Sequence, residues 1–237
     1  MFDALRQHIE EDGYAIAPDA VPEELLRELD QALDAGQAGI RNLLGVPAVR
    51  KLATSDLVRR LVGPVLGPNA FAVRGILFNK LPGANWKVPW HQDSAIAVRE
   101  RKDVPGWGPW SVKDGLLHVR PPAEVLARML AVRVHLDDCG GQDGPLRVLP
   151  GSHRHGLFKD SQILGWPKDG TITCAVRRGD AILMSPLLLH ASSSAAEPAN
   201  RRVIHIEFAD DELPHGMRWH ERVWDFGKGN VHREQMG

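Results

Sequence analysis

The chain has 237 residues, 43% of them hydrophobic, and 29 Lys and Arg offset 30 Asp and Glu to leave a formal net charge of −1. That balance argues against a nucleic-acid surface, and the start "MFDALRQHIEEDG" has no apolar run to serve as signal peptide or membrane anchor. Two cysteines in "DDCGG" and "ITCAV" lack the spacing of a zinc or redox motif and read as ordinary small residues, and a cytoplasmic protein is expected.

The first seventy residues read as helical. Leu5 and Ile9 share a helix face, "GYAIA" is a short strand, and the proline-led, acid-rich "VPEELLRELDQALDA" sets Leu25, Leu26, Leu29 and Leu33 on one side. A further helix fits Ser55 to Leu66, capped by the serine and stopped by Gly-Pro. From Ala70 the period shifts towards two. Strands are predicted in "AFAVRGILFNKL", "MLAVRVHLDD", "GPLRVLPG", "GTITCAVRRG", "DAILMSP" and "RRVIHIEFAD". Helices followed by many short strands predict one domain, a β sandwich or barrel flanked by an N-terminal helical layer. The longest irregular stretch, Arg99 to Pro122, reads as a loop covering a site.

"VPWHQD" places His91 and Asp93 one residue apart, so on an extended strand both face the same way while Gln92 faces the other. A third metal ligand is needed, and His190, at the end of the apolar run "SPLLLH", which reads as a buried strand, is the best placed of eleven histidines. Two histidines and a carboxylate make the facial triad of non-haem iron(II) oxygenases, which leaves positions open for a co-substrate and oxygen.

"WHQD", "DGPLRVLPGSHRHG" and "HASSSAAEPANRRV", in this order, resemble the phytanoyl-CoA dioxygenase family over nearly the whole chain. The resemblance implies a mainly β fold, a double-stranded β-helix (jelly-roll, cupin-like) with an N-terminal helical layer to about residue 69 and a core over about 70–210. It also implies Fe(II) held by His91, Asp93 and His190, with O2 and 2-oxoglutarate as co-substrates. The far carboxylate of 2-oxoglutarate would meet Arg201, eleven residues after His190, assisted by Ser192. Periodicity alone leaves Arg202 open for that role, because Ile204, Ile206 and Phe208 share its face.

Arg74 and Lys80 lie on the strand face that lines the cavity in this family, so either could hold 2-oxoglutarate or an anionic substrate. Gln92, Trp107, Trp110 and His205 are further candidates for substrate contact, and Trp86 and Trp90 for pocket walls. The expected activity is hydroxylation of an unactivated C–H bond coupled to conversion of 2-oxoglutarate into succinate and CO2. The rivals are a cupin-type metal isomerase or hydrolase and a non-catalytic small-molecule-binding jelly roll.

Overall fold

The computed structural model describes residues 2–224. Helix α1 (Phe2–Asp12) leads through Gly13 into strand β1 (Tyr14–Ala17), then α2 (Glu23–Ala32) and the short β2 (Gly39–Arg41). Helices α3 (Pro47–Thr54) and α4 (Asp56–Leu66) follow; Ser55 caps α4 by accepting a hydrogen bond from the Val58 amide at 3.3 Å. The α3 helix was not expected from the sequence.

The remaining strands are β3 (Phe71–Lys80), β4 (Val88–His91), β5 (Ile96–Ala97), β6 (Trp110–Lys113), β7 (Leu116–Val119), β8 (Met129–His135), β9 (Leu146–Val148), β10 (Ile172–Cys174), β11 (Ala181–Met184), β12 (His190–Ser192) and β13 (Arg201–Ala209). A one-turn helix α5 (Ala123–Leu126) precedes β8, and α6 (Asp160–Gly165) lies between β9 and β10. All pairings are antiparallel, and the main sheets run β1-β11-β8-β13-β3-β2 and β10-β9-β12-β4. Together they form the double-stranded β-helix.

Alternation along the strands explains the layers. On β8, Leu130, Val132 and Val134, with Leu136 just past its end, join Ile204, Ile206 and Phe208 of β13 and the leucines of α2 in one core under the helices. The opposite face of the same strands looks towards the four-stranded sheet. One end of that interior is apolar, with Ala131, Ile182 and Met184 against Leu146, Val148 and Leu188. The other end is polar, and it holds the site.

Two expectations need correction. Arg99 to Pro122 is no plain loop: β6 and β7 form a hairpin around Asp114 and Gly115, both at positive φ, and β7 also pairs with β5. The run "SPLLLH" is not a strand until His190, because residues 186–188 turn and Leu188 N donates to Ser185 O at 3.0 Å.

Candidate metal centre and its cavity

β12 pairs with β4 so that His190 lies directly opposite His91, and the two rings approach to 4.1 Å between centroids. Asp93 follows just past the end of β4, where its amide donates to Pro186 O at 2.9 Å and ties this turn to the segment leading into β12. Each carboxylate oxygen then stands 3.6 Å from one imidazole: Oδ1 from His91 Nε2, Oδ2 from His190 Nε2. One ligand atom from each of the three residues falls within 4.8 Å of the others.

The local backbone also sets the proton positions. His91 Nδ1 is 2.9 Å from Pro89 O and His190 Nδ1 is 2.9 Å from Leu188 O. A carbonyl only accepts, so each Nδ1 carries the proton and each Nε2 of the neutral ring presents a lone pair to the centre. Burial, the largest influence on His190, pushes its pKa down to about 3 and keeps it neutral. Burial opposes charge on His91 too, but the neighbouring Asp93 raises its pKa on balance. Asp93 is likewise penalised by burial, yet His190 and His91 hold its carboxyl well below the ordinary range. The result is an anionic carboxylate between two nitrogen donors.

These groups line a cavity of about 100 Å³ together with Phe78, Lys80, Trp86, Val88, Arg133, Leu146, Ala191, Ser192 and Arg201. Lys80 is 1% exposed; its ammonium donates to Ser192 Oγ at 3.3 Å and to Ser193 O. Gly144 makes room for it, since a Cβ there, at φ +65, would sit 2.9 Å from Lys80 Nζ and 2.4 Å from Ser193 O. Arg201 lies across from Lys80 in register, is 5% exposed, and its Nε has no hydrogen-bond partner. Burial lowers the pKa of both, that of Lys80 to about 8. Arg202 turns the other way and is gripped by Asp137, with contacts at 3.0 and 2.7 Å, and by Asp30 at 2.8 Å.

Other candidates lie elsewhere. Arg74 pairs with Glu207 at 3.2 Å and is not part of the cavity lining, because the carboxylate two residues along β13 from His205 claims it. Gln92 uses its whole amide on backbone, donating to Gly156 O and Leu187 O and accepting from Phe158 N, so it straps three segments together rather than facing a ligand. Trp107 is buried in a satellite core with Phe71, Ile96 and Trp219, and Trp110 packs on it from β6; neither reaches the cavity. His205 stands one step behind the lining, 3.0 Å from Arg133.

Sequence reasoning missed Arg133 and His135, which share the inner face of β8. His135 is 1% exposed with both ring nitrogens unpartnered. The available signal was "LAVRVHLDD", where Arg and His alternate with residues that must be core. A larger cavity, about 490 Å³, opens by α3, α4 and the outer face of the main sheet, but holds none of the triad. Chemistry, not volume, marks the site.

Comparison with known proteins agrees with this geometry. The family model for phytanoyl-CoA dioxygenase matches residues 39–203. L-proline trans-4-hydroxylase of Streptomyces griseoviridis is 27% identical, covering 86% of this chain and 76% of that protein. Among solved structures, HygX of Streptomyces hygroscopicus with nickel and 2-oxoglutarate bound superposes with TM-score 0.63 at 16% identity, covering 87% of this chain and 85% of its own. The non-haem α-ketoglutarate-dependent epimerase SnoN from nogalamycin biosynthesis gives TM-score 0.65 at 17% identity over 88% and 83%. At these identities the structural matches speak for the fold.

Proposed function

Since this chain belongs to the phytanoyl-CoA dioxygenase family, we propose that it is an Fe(II)- and 2-oxoglutarate-dependent hydroxylase of a small molecule, with His91, Asp93 and His190 as the metal ligands. The observation that carries this reading is the convergence of two Nε2 lone pairs and one carboxylate in a cavity that also contains an arginine without a carboxylate partner. With each Nδ1 turned to a backbone carbonyl, the two Nε2 atoms and the carboxylate make a donor set that fits a divalent cation. When bound, Fe(II) with 2-oxoglutarate and O2 supplies the oxidising power, and 2-oxoglutarate leaves as succinate and CO2.

The residues of the chain do the rest. The carbonyls of Pro89 and Leu188 hold the two imidazoles in the ligating tautomer and orientation. Arg201 receives the far carboxylate of the co-substrate through its planar fork, and Lys80, steadied by Ser192, adds a second positive charge at that end. Phe78, Val88 and Leu146 keep the cavity walls apolar and limit water. A metal isomerase or hydrolase that works without 2-oxoglutarate would bring no co-substrate carboxylate for the buried Arg201 to receive.

We treat residues 2–224 as one catalytic domain and its setting as the cytoplasm, consistent with two buried free cysteines and with no described helix being long and apolar enough to cross a membrane. The test is anaerobic titration of the Fe(II) protein with 2-oxoglutarate, reading the metal-to-ligand charge-transfer band. Succinate release with L-proline, the substrate named for the streptomycete relative, is measured next. A charge-transfer band that His190→Ala abolishes supports the reading. Absence of any band from the parent protein overturns it.

A further inference from the structure

The cavity contains more positive charge than the co-substrate needs. Lys80, Arg133 and Arg201 all line it, and among the described residues none of the three enters an ion pair; the single carboxylate in the lining is Asp93. With a divalent metal bound, these groups would sum to a formal charge of about four positive, and a dianionic co-substrate would remove two. At least one cation is left for another anion.

Position shows which. Lys80 and Arg201 face each other on β3 and β13 and are suited to act on one carboxylate together. Arg133 is on β8, on the far side of β13 from Lys80, where its charge disfavours protonation of His91 and His190 and is itself favoured by Asp93. It is 8% exposed, its Nε has no partner, and its guanidinium stands 5.5 Å from the centre of the Phe78 ring.

Among the described residues a single hydrogen bond holds its side chain in place without neutralising it. Arg133 Nη1 is 3.0 Å from His205 Nδ1, and a guanidinium only donates, so the His205 proton is on Nε2, 3.5 Å from Glu207 Oε1. Glu207 is matched by Arg74 at 3.2 Å. The relay aims Arg133 but leaves its charge unmet. We propose that Arg133 binds a carboxylate of the primary substrate beside the metal centre, which makes the substrate of this enzyme a small organic acid. The inference rests on the oxygenase reading above. Burial pushes the pKa of Arg133 down to about 10, so the group stays cationic at neutral pH while its charge remains poorly solvated.

The test uses the Fe(II)–2-oxoglutarate form in anaerobic crystals soaked with bromide, whose anomalous signal locates an anion without knowledge of the substrate. Bromide should lie against Arg133 in the parent, vanish in Arg133→Gln and return in Arg133→Lys. In solution the 2-oxoglutarate affinity of Arg133→Gln should stay within about threefold of the parent, with an unchanged circular dichroism spectrum. A 2-oxoglutarate carboxylate on Arg133, or a loss of co-substrate affinity in Arg133→Gln as large as in Arg201→Ala, would assign Arg133 to the co-substrate and overturn the inference. Bromide bound only at other positions in both proteins would also overturn it. If the parent fails to bind 2-oxoglutarate at all, the oxygenase reading falls and takes this one with it, so the two failures are distinguishable.

Discussion

The two faces of β13 are built from one run of residues and end in opposite electrostatic states. On the outer face Ile204, Ile206 and Phe208 are at most 3% exposed beneath the helices, and the Arg202 guanidinium is matched by Asp137 and Asp30. On the inner face Arg201 is 5% exposed, forms no ion pair among the described residues, and keeps an unpartnered Nε. A buried polar group without a partner costs about 1–3 kcal/mol, more when charged. The outer face has met that demand within the chain. The inner face has not met it among the described residues, and that unmet demand marks the candidate site better than cavity size does.

The largest effect should come from removing the group around which the inner face is organised. His91→Ala, Asp93→Ala and His190→Ala should each lower metal affinity by more than the 10- to 100-fold typical of outer-shell changes and abolish turnover, while circular dichroism stays that of the parent. Metal stoichiometry by calorimetry with Mn(II) checks this; a variant that keeps full stoichiometry removes its residue from the ligand set.

Next comes the contrast between adjacent arginines. Arg201→Ala should raise the 2-oxoglutarate requirement by roughly 30-fold to several-thousand-fold, the equivalent of about 2–5 kcal/mol, with iron binding intact. Arg201→Lys should recover part of that, since an ammonium keeps the charge but not the fork. Arg202→Ala should instead lower the stability of the ligand-free protein by about 1–3 kcal/mol in urea, because Asp137 loses its guanidinium and Asp30 keeps only Arg178, and leave co-substrate affinity nearly unchanged. Exchange of these outcomes would reverse the assignment of the two faces.

A smaller effect is expected from pH. Lys80 is shifted from 10.5 down to about 8, so between those values the unfolded chain holds a proton that the folded chain has released. Stability of the ligand-free protein should therefore rise with pH across this window: the cost of the buried charge is present below about 8 and is relieved above it. Co-substrate affinity should move the other way as the cation is lost. Lys80→Met should flatten both trends when urea midpoints and calorimetric titrations are compared at about pH 7 and pH 9. The smallest effect belongs wholly to the helical side: Ser55→Ala should cost about 1 kcal/mol through loss of the α4 cap, seen as a melting point lowered by about 2–4 °C, with no change in 2-oxoglutarate affinity.

Much of the inner face was legible before any coordinates. The His-x-Asp spacing and the position of His190 are local patterns, the step to Arg201 follows from the family resemblance, and the geometry brings those residues into one cavity. Arg201 and Arg202 could not be separated by periodicity, because the apolar residues on β13 mark the helix-facing side only, and the interior of a ligand-binding barrel need not be apolar. Arg133 was overlooked for the same reason. Its partner His205, which Glu207 backs in turn, comes from a strand some seventy residues away, a relation no local pattern contains. The β6–β7 hairpin was legible and was missed: Asp114-Gly115 is a hairpin turn signal, hidden by the Gly- and Pro-rich sequence before it. Trp107 and Trp110 read as substrate contacts because they stand in the long irregular stretch expected to cover the site, yet large aromatics more often close a core, as they do here.

The pairing of β13 with both β3 and β8 has a consequence for how this protein comes into being. Arg201 meets Lys80 across about 120 residues of chain, and His190 meets His91 across about 100. Contacts so distant in sequence must wait until long loops close, so folding should be slow for a chain of this size. During synthesis, a polypeptide grown only as far as Ser192 already contains His91, Asp93 and His190, but not the strand that joins β3 to β8. Such a nascent chain would present unpaired edges on both strands, so the interval between emergence of His190 and of Ala209 is when this protein should depend most on chaperones.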